Sequence, residues 1–307
     1  MSVIYKGQVI DTNLSRLAMG GTEQMRKRLL ETVDSSLLDN VAIHLSRPRT
    51  IYKDIPNILW CHDLAEDGEN KILENEGWKQ FSKLVFVSYW QRDMFVTKFS
   101  IPYSRCVVIE NAIEPAVNSD KDTRQIKLIY HTTPHRGLEL LYPVYDALSK
   151  NFGDKLHLDV FSSFEIYGWK QRDKPYLNLF EKLEAHPHIT YHGTQPNDVI
   201  REYLSRAHYF PYPCIWKETS CIALIEAIEH EVVAVHPNLG ALPETAGLNT
   251  FMYDYTENYQ DHAQKFYQLL GILINGGAHN VKNINTNPRH KIQTFTNRWT
   301  NLLKEIQ

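Results

Sequence analysis

Short runs rich in β-branched and aromatic residues alternate with amphipathic segments almost throughout the chain, and that alternation leaves few folds open. Strands are expected at residues 3–10, 40–45, 57–61, 84–88 and 106–109, then at 126–130, 156–161, 189–191, 208–211 and 232–236. Helices are expected between them, at residues 21–33, 69–81, 89–99, 137–151, 176–185, 196–205 and 219–229. A strand followed by a helix and another strand favours parallel sheets with helices on their faces, an α/β fold.

The alternation pauses once. Residues 114–125 (EPAVNSDKDTRQ) are polar, contain Pro and have no periodicity, and a fresh strand–helix series follows. This is read as a linker. A chain of 307 residues is long enough for two domains. They are placed at residues 1–115 and 124–290, with a final helix over 291–307. The tail from 256 reads as helical, in two pieces separated by NGGAHNVKNINTNP.

Composition narrows the function classes. Apolar residues make up 43% and charged residues 22%, an ordinary globular balance. The net charge of −3 gives no field to gather nucleic acid, so no nucleic-acid partner is expected. The four cysteines, Cys61, Cys106, Cys214 and Cys221, form no CxxC pair and are too sparse for a disulfide scaffold, so reduced thiols in a cytoplasmic setting are expected. The N-terminus shows no signal-peptide pattern, and no apolar run approaches the ~20 residues needed to span a bilayer. A soluble or at most peripheral protein is expected. Basic runs at Arg26-Lys27-Arg28 and Arg289-His290-Lys291, with Arg298, read most simply as solvated helix faces. No P-loop, GxGxxG fingerprint or HExxH motif occurs. Asp120 and Asp122 have DxD spacing but fall in the linker, so no metal site and no cofactor are expected.

The stretch from Tyr212 to Glu244, YPCIWKETSCIALIEAIEHEVVAVHPNLGALPE, is the most informative. A loop follows a strand, and Glu218-Thr-Ser-Cys then opens a helix whose buried face is Ile222, Leu224, Ile225 and Ile228. Backbone amides around Thr219, Ser220 and Cys221, at the start of a helix on the edge of a parallel sheet, would suit an anion such as a diphosphate. Glu218 alone reads as an acidic helix-start residue. Glu226 is harder to dismiss, because a carboxylate among Leu224, Ile225, Ala227 and Ile228 is costly without a partner.

Glu218 and Glu226 enclose seven residues. The E-x7-E spacing, the wording ETSCIALIEA, the small-residue strand VVAV, Gly240 and Pro243-Glu244 together resemble the retaining glycosyltransferase family 4. Residues 126–141, IKLIYHTTPHRGLELL, are similar to the same family's donor loop: a strand, a Thr/Pro turn, and Arg136-Gly137 opening a helix. Arg136 stands where the family commonly has Lys. His131, Thr132 and Thr133 occupy the place of a second basic residue. In the first half, Met19-Gly20-Gly21-Thr22-Glu23 resembles the Gly-Gly opening of the family's first long helix; the paired glycines read physically as a close-approach or positive-φ turn. ILWCHD (58–63) resembles its strand ending in an active-site His, here His62, although a structural His is an equally good reading. LVFVSYWQRDMF (84–95) and VVIENAI (107–113) match two further segments. The chain departs from the family at Glu231 and Ala112, where Gly is usual, and at Gly240-Ala241, where a Gly pair is usual. Its first domain is also shorter.

The resemblance implies the GT-B architecture, two Rossmann-like doubly wound domains facing a cleft, with the final helix packed on the first. It implies transfer of a sugar from a UDP- or GDP-sugar to a glycan or glycolipid hydroxyl, with retention and without a metal. It assigns catalysis to Glu218 and His62, donor binding to Arg136, Thr133, Thr219, Ser220, Cys221 and Glu226, and a loop near the acceptor or diphosphate to Gly20 and Gly21. Some members dock on membranes through basic patches, so peripheral membrane contact stays open. Three rivals stay open too: another GT-B enzyme such as an inverting transferase or epimerase, a nicotinamide-dependent oxidoreductase, and a binding protein without turnover.

Overall fold

Lys6 and Gly7 lie between two short alternating runs, and in the computed structural model of the protein they turn the chain back on itself. Both are left-handed, with φ of 49° and 71°, the backbone that a two-residue hairpin turn requires. The strand expected over residues 3–10 is therefore two, β1 (Ser2–Tyr5) and β2 (Gln8–Asp11), paired antiparallel. The structure describes residues 2–11, 20–116, 119–122, 124–280 and 287–306. Met19, part of the linker and part of the 275–288 loop lie outside them.

Two units make up the chain. The first comprises Met1–Glu114, Glu218–Ser220 and Asn287–Gln307, and the second Pro115–Lys217 and Cys221–Thr286. In the first, helix α1 (Gly21–Thr32) leads to β3 (Ala42–Leu45), β4 (Asn57–Cys61), β5 (Lys83–Phe86), helix α2 (Tyr89–Phe99) and β6 (Cys106–Val108). The sheet order is β2-β1-β3-β4-β5-β6; β3 to β6 run parallel, while β1 is antiparallel to both neighbours. Ser88 ends the strand and caps α2, its hydroxyl accepting the Gln91 amide at 3.0 Å.

The helix expected at 69–81 does not form. Two 3-10 stretches, Gly68–Leu73 and Gly77–Gln80, replace it, separated by left-handed Asn75 and Glu76. The Asp67 side chain accepts the Glu69 amide and starts the first stretch. Gly77 passes so close to the Ile72 carbonyl oxygen that a Cβ would meet it at 1.9 Å, a contact no continuous helix would make.

The last helix of the chain, numbered in order below, belongs to this first unit. It places Phe295 and Trp299 in the core, with Trp299 edge-on to Trp60 at 4.7 Å. The basic runs are partly engaged inside the unit. Buried Arg28 donates to the Ala112 carbonyl and lies 3.6 Å from Glu114. Arg298 pairs with buried Glu110, and the His290 ring donates to the Asn111 carbonyl at 2.8 Å. Three basic side chains thus contact residues 110–114 within the unit.

The second unit is built from β7 (Ile126–Tyr130), α3 (Leu138–Phe152), β8 (Leu156–Val160), α4 (Leu177–Ala185), β9 (Ile189–Tyr191), α5 (Asn197–Arg206) and β10 (Tyr209–Pro211). Then come α6 (Ile222–Glu229), β11 (Val233–Pro237), α7 (Leu242–Ala246), β12 (Phe251–Tyr253) and α8 (Tyr259–Asn275); α9 (Ile292–Ile306) is the last helix described above. All strand pairs in this unit are parallel, in the order β12-β11-β10-β7-β8-β9. Leu128, Leu158, Phe210 and Val235 from the strands pack with Leu141, Tyr145, Leu224 and Phe266 from the helices. Both units are therefore α/β with parallel cores. Among the described residues, no helix is long and apolar enough to cross a membrane, and all four cysteines are free thiols.

Candidate functional site

The strand order of the second unit places a site before any side chain is considered. From β7 the chain adds β8 and β9 on one side, then crosses back and adds β10, β11 and β12 on the other. The reversal lies between β7 and β10, and the loops beyond the carboxyl ends of the strands at such a point are where open α/β sheets carry their ligands. Residues 131–137 leave β7 there, and residues 212–221 leave β10.

These two loops are in close contact. The Arg136 carbonyl accepts the Ile215 amide at 3.3 Å. Gly137 has φ of 124°, and a Cβ on it would lie 2.2 Å from the Pro213 carbonyl oxygen. Only glycine satisfies both the dihedral and the space. Gly137 then starts α3, while Arg136 closes a single 3-10 turn, Pro134–Arg136.

Arg136 is half-buried. Its Nε donates to the Thr133 hydroxyl at 3.2 Å, so buried Thr133 positions the guanidinium. Burial opposes the charge, but at the high pH where Tyr212 and its neighbours ionise their negative charge more than offsets this, and the pKa is raised. Burial pushes the Cys221 thiol up to about 12 and raises Tyr212 and Cys214 as well, so these neighbours stay neutral. The guanidinium is a fixed positive charge in a poorly solvated corner, the setting in which it serves an anion best.

Helix α6 begins later than expected. It runs from Ile222, with Cys221 as its extended N-cap, and not from Thr219. Thr219 and Ser220 precede the helix, and the amides without intrahelical acceptors at its head are those of Ile222 and Ala223. Glu218–Ser220 group with the first unit, where the Thr219 hydroxyl donates to the His62 carbonyl at 2.9 Å. Glu218 is 5% exposed and Glu226 7%. Glu226 lies within α6, and its carbonyl accepts both the amide and the Nδ1–H of His230.

His62 follows β4 in the first unit. Its amide donates to the Ser46 hydroxyl at 2.9 Å, its ring lies 4.8 Å from Trp60, and its Nε2 has no hydrogen-bond partner. Burial lowers its pKa to about 3. Gly20 is the extended N-cap of α1, with φ of −68°, and Gly21 is the first helical residue, so neither uses the positive φ that paired glycines allow.

Five polar groups at the carboxyl edge of the second sheet were not among the site residues read from the sequence. His131 Nε2, Thr132 Oγ1 and His135 Nδ1 follow β7, Ser162 Oγ follows β8, and Thr194 Oγ1 follows β9; each atom is buried and without a hydrogen-bond partner. Buried polar atoms are nearly always satisfied, so these exceptions along one sheet edge call for a partner, a water or a ligand. Only their positions in the loops that follow strands could have flagged them. Burial lowers the pKa of both His131 and His135 to about 3, so each is a neutral imidazole near pH 7. Among the described residues, no three His, Cys, Asp or Glu side chains are grouped to hold a metal ion.

Comparison with known proteins agrees with this geometry. A model of the family described as glycosyl transferases group 1 matches residues 110–271, just over half of the chain. No curated protein matches. Among solved structures, TarM of S. aureus superposes with a TM-score of 0.60 at 17% identity, over 83% of this chain and 51% of TarM. The chain thus spans about half the length of TarM. HepE of Anabaena, bound to UDP and glucose, gives 0.65 at 12% identity, over 81% of this chain and 72% of HepE. The lipopolysaccharide outer core galactosyltransferase WaaB, in its apo form, gives 0.61 at 13% identity, over 93% of this chain and 79% of WaaB. At these identities the likeness concerns the fold, which is that of the GT-B glycosyltransferases.

Two consequences are measurable. Gly137→Ala should force the two switch-point loops apart and cost at least about 2 kcal/mol in urea unfolding; an unchanged midpoint would show that the loops yield freely. His131 should make the protein acid-sensitive. Its folded pKa lies below the unfolded value of about 6.5, so the unfolded chain binds more protons between these limits. Its contribution is complete above pH 6.5 and is lost as pH falls toward 3, by up to about 1.4 kcal/mol per pH unit. His131→Gln should therefore lose less stability than wild type between pH 7 and 5; equal losses would contradict the assignment.

Proposed function

The chain belongs to the glycosyl transferases group 1 family, and on that premise we propose that it is a retaining glycosyltransferase of the family 4 type. It moves a sugar from a nucleoside diphosphate sugar to a hydroxyl of a glycan or glycolipid. The observation that carries this reading is the placement of Arg136 beside the loop leading to α6, at the strand reversal of an all-parallel unit. A fixed cation and free helix-head amides at that point suit a diphosphate. The ligands of HepE and the galactosyltransferase designation of WaaB favour a UDP-hexose as donor.

As the acceptor hydroxyl oxygen bonds to the anomeric carbon, the bond from that carbon to the diphosphate oxygen breaks; the bonding pair, and hence negative charge, goes to the diphosphate, which takes up the hydroxyl proton. Arg136, oriented by Thr133, and the amides following Cys221 stabilise that charge as it grows. No metal is required for this step, because the cation is already in place. The Glu226 carboxylate accepts hydrogen bonds from the two ribose hydroxyls. Glu218 contacts the hydroxyls of the transferred sugar, with the Thr219–Ser220 segment setting its position. His62, a neutral imidazole, and Gly20 and Gly21 are the first unit's own contributions to this reading, as groups serving the acceptor.

The test is turnover of UDP-glucose and UDP-galactose, with the anomeric configuration of the product read by NMR. Retention is expected. Glu226→Ala should weaken donor binding by roughly 10–100-fold, the worth of hydrogen bonds to a charged group. Glu218→Ala should lower kcat by roughly 100–1,000-fold. Wild-type rates in both variants, or an inverted product, would refute the mechanism.

A further inference from the structure

Helix α6 carries the head amides and the Glu226 carboxylate assigned above to the nucleotide, so whatever sets its place along its own axis bears on the site. It has eight residues, about 12 Å. Leu224, Ile225, Ala227 and Ile228 are buried along it. Apolar contacts are non-directional, whereas hydrogen bonds at a helix end fix where that end lies.

The C-terminal end is held from outside the helix. The Glu231 amide donates to the Ile228 carbonyl at 3.0 Å and the Val232 amide to the Ala227 carbonyl at 2.9 Å. The carbonyls of His230 and Glu231 accept instead from the Nζ of Lys121, at 3.1 and 2.7 Å. The last turn of α6 has no basic residue of its own, so Lys121 supplies the positive charge that a helix C-terminus favours. Glu231 has φ of 55°, a left-handed backbone that glycine adopts more readily. Its carboxylate attracts the Lys121 ammonium, which a glycine there would not do.

Lys121 lies between β6 and β7, in a segment with a second hold. The Ser119 hydroxyl donates to the Ser205 carbonyl at 3.0 Å, one residue before the end of α5. Residues 119–121 therefore cross the C-terminal ends of both α5 and α6. Arg124, in the same segment, pairs with Asp122 at 2.9 Å and is spent locally.

The ammonium is half-buried, and burial pushes its pKa down to about 8 against the pull of Glu231. His208, His230 and His279 lie within its electrostatic reach, and burial together with its repulsion holds all three below their ordinary value. Lys127, Arg201 and Asp122 are the other charges around these rings. The imidazoles are neutral above pH 7, so a change of charge here near pH 8 belongs to Lys121.

We propose that Lys121 is a positioning residue for the donor site, which with Glu231 fastens the C-terminal end of α6 and so sets the helix head and Glu226 for the nucleotide. This rests on the transferase reading above and adds to it a residue remote from the substrate. Deprotonation removes the attraction between ammonium and helix end, together with one of three donors, so the fastening weakens in mild alkali.

The test is calorimetric titration of the intact protein with UDP at pH 7, 8 and 9, on the wild type, Lys121→Met and Lys121→Arg. At pH 7, Lys121→Met should bind UDP at least fivefold more weakly than wild type, and Lys121→Arg within twofold of it. By pH 9 the wild type should fall to within twofold of Lys121→Met, while Lys121→Arg, which stays charged, keeps its advantage. Ionisation of the uracil is common to all three and cancels in these ratios. Amide hydrogen exchange over residues 222–229, measured without nucleotide at pH 7, should be faster in Lys121→Met and restored in Lys121→Arg. Wild-type UDP affinity in Lys121→Met would overturn the proposal. So would a deficit of the same size at pH 7 and pH 9, which is what a merely structural lysine gives. Should Lys121→Met not fold, the ratio of wild type to Lys121→Arg decides: it must fall between pH 7 and 9, and a constant ratio overturns the proposal. Wild-type protein that binds no UDP, with exchange in α6 still faster in Lys121→Met, would overturn the donor reading and leave the fastening of α6 standing.

Discussion

The approach of Gly137 to the Pro213 carbonyl is the constraint on which the site depends. It lets the loop after β7 and the loop after β10 share one corner at the point where strand order reverses. Arg136 is set by that corner on one side and by the Thr133 hydroxyl on the other. The later loop then leads into α6, whose free amides lie at its head. A side chain at residue 137 would require a backbone carbonyl to move, and with it the relation between the cation and the helix.

The electrostatics of this corner are simple because burial silences its titratable neighbours. His131 and His135 are held neutral near pH 7, and the Cys214, Cys221 and Tyr212 protons are retained. The fixed charge of Arg136 is therefore little diluted by nearby ionisation. Where a second basic residue is common in the resembling family, this chain offers neutral groups, His131 and Thr132 among them. A diphosphate held here relies more on hydrogen bonds and less on net charge.

Much of the second unit was legible in the sequence, because parallel strands buried on both faces read as compact apolar runs bounded by turns. The strands at 126–130 and 189–191 and the helix at 89–99 of the first unit match the structure residue for residue. The errors share a cause: local patterns that tertiary contacts or turn chemistry override. Lys6-Gly7 carried a hairpin that alternation alone conceals. The helix expected at 69–81 gave way at left-handed Asn75 and Glu76. Thr219 and Ser220 suit the approach to a helix better than its interior, and α6 starts after them, at Ile222. Motif spacing pointed to Glu218, Glu226 and Arg136. It marked His131 only as a departure from a basic position, and could not point to His135, Ser162 or Thr194, whose polar atoms are buried and without a hydrogen-bond partner.

The central claim is that the corner formed by Arg136 and the head of α6 holds a nucleoside diphosphate. Calorimetric titration with UDP, GDP, ADP and NAD, repeated on Arg136→Ala, tests it most directly. The account predicts that one nucleoside diphosphate binds, UDP by preference, that NAD does not, and that the substitution weakens binding roughly 10–100-fold, as expected for loss of charge-assisted hydrogen bonds. Folded protein that binds none of the four, or binds UDP equally well without Arg136, would contradict it.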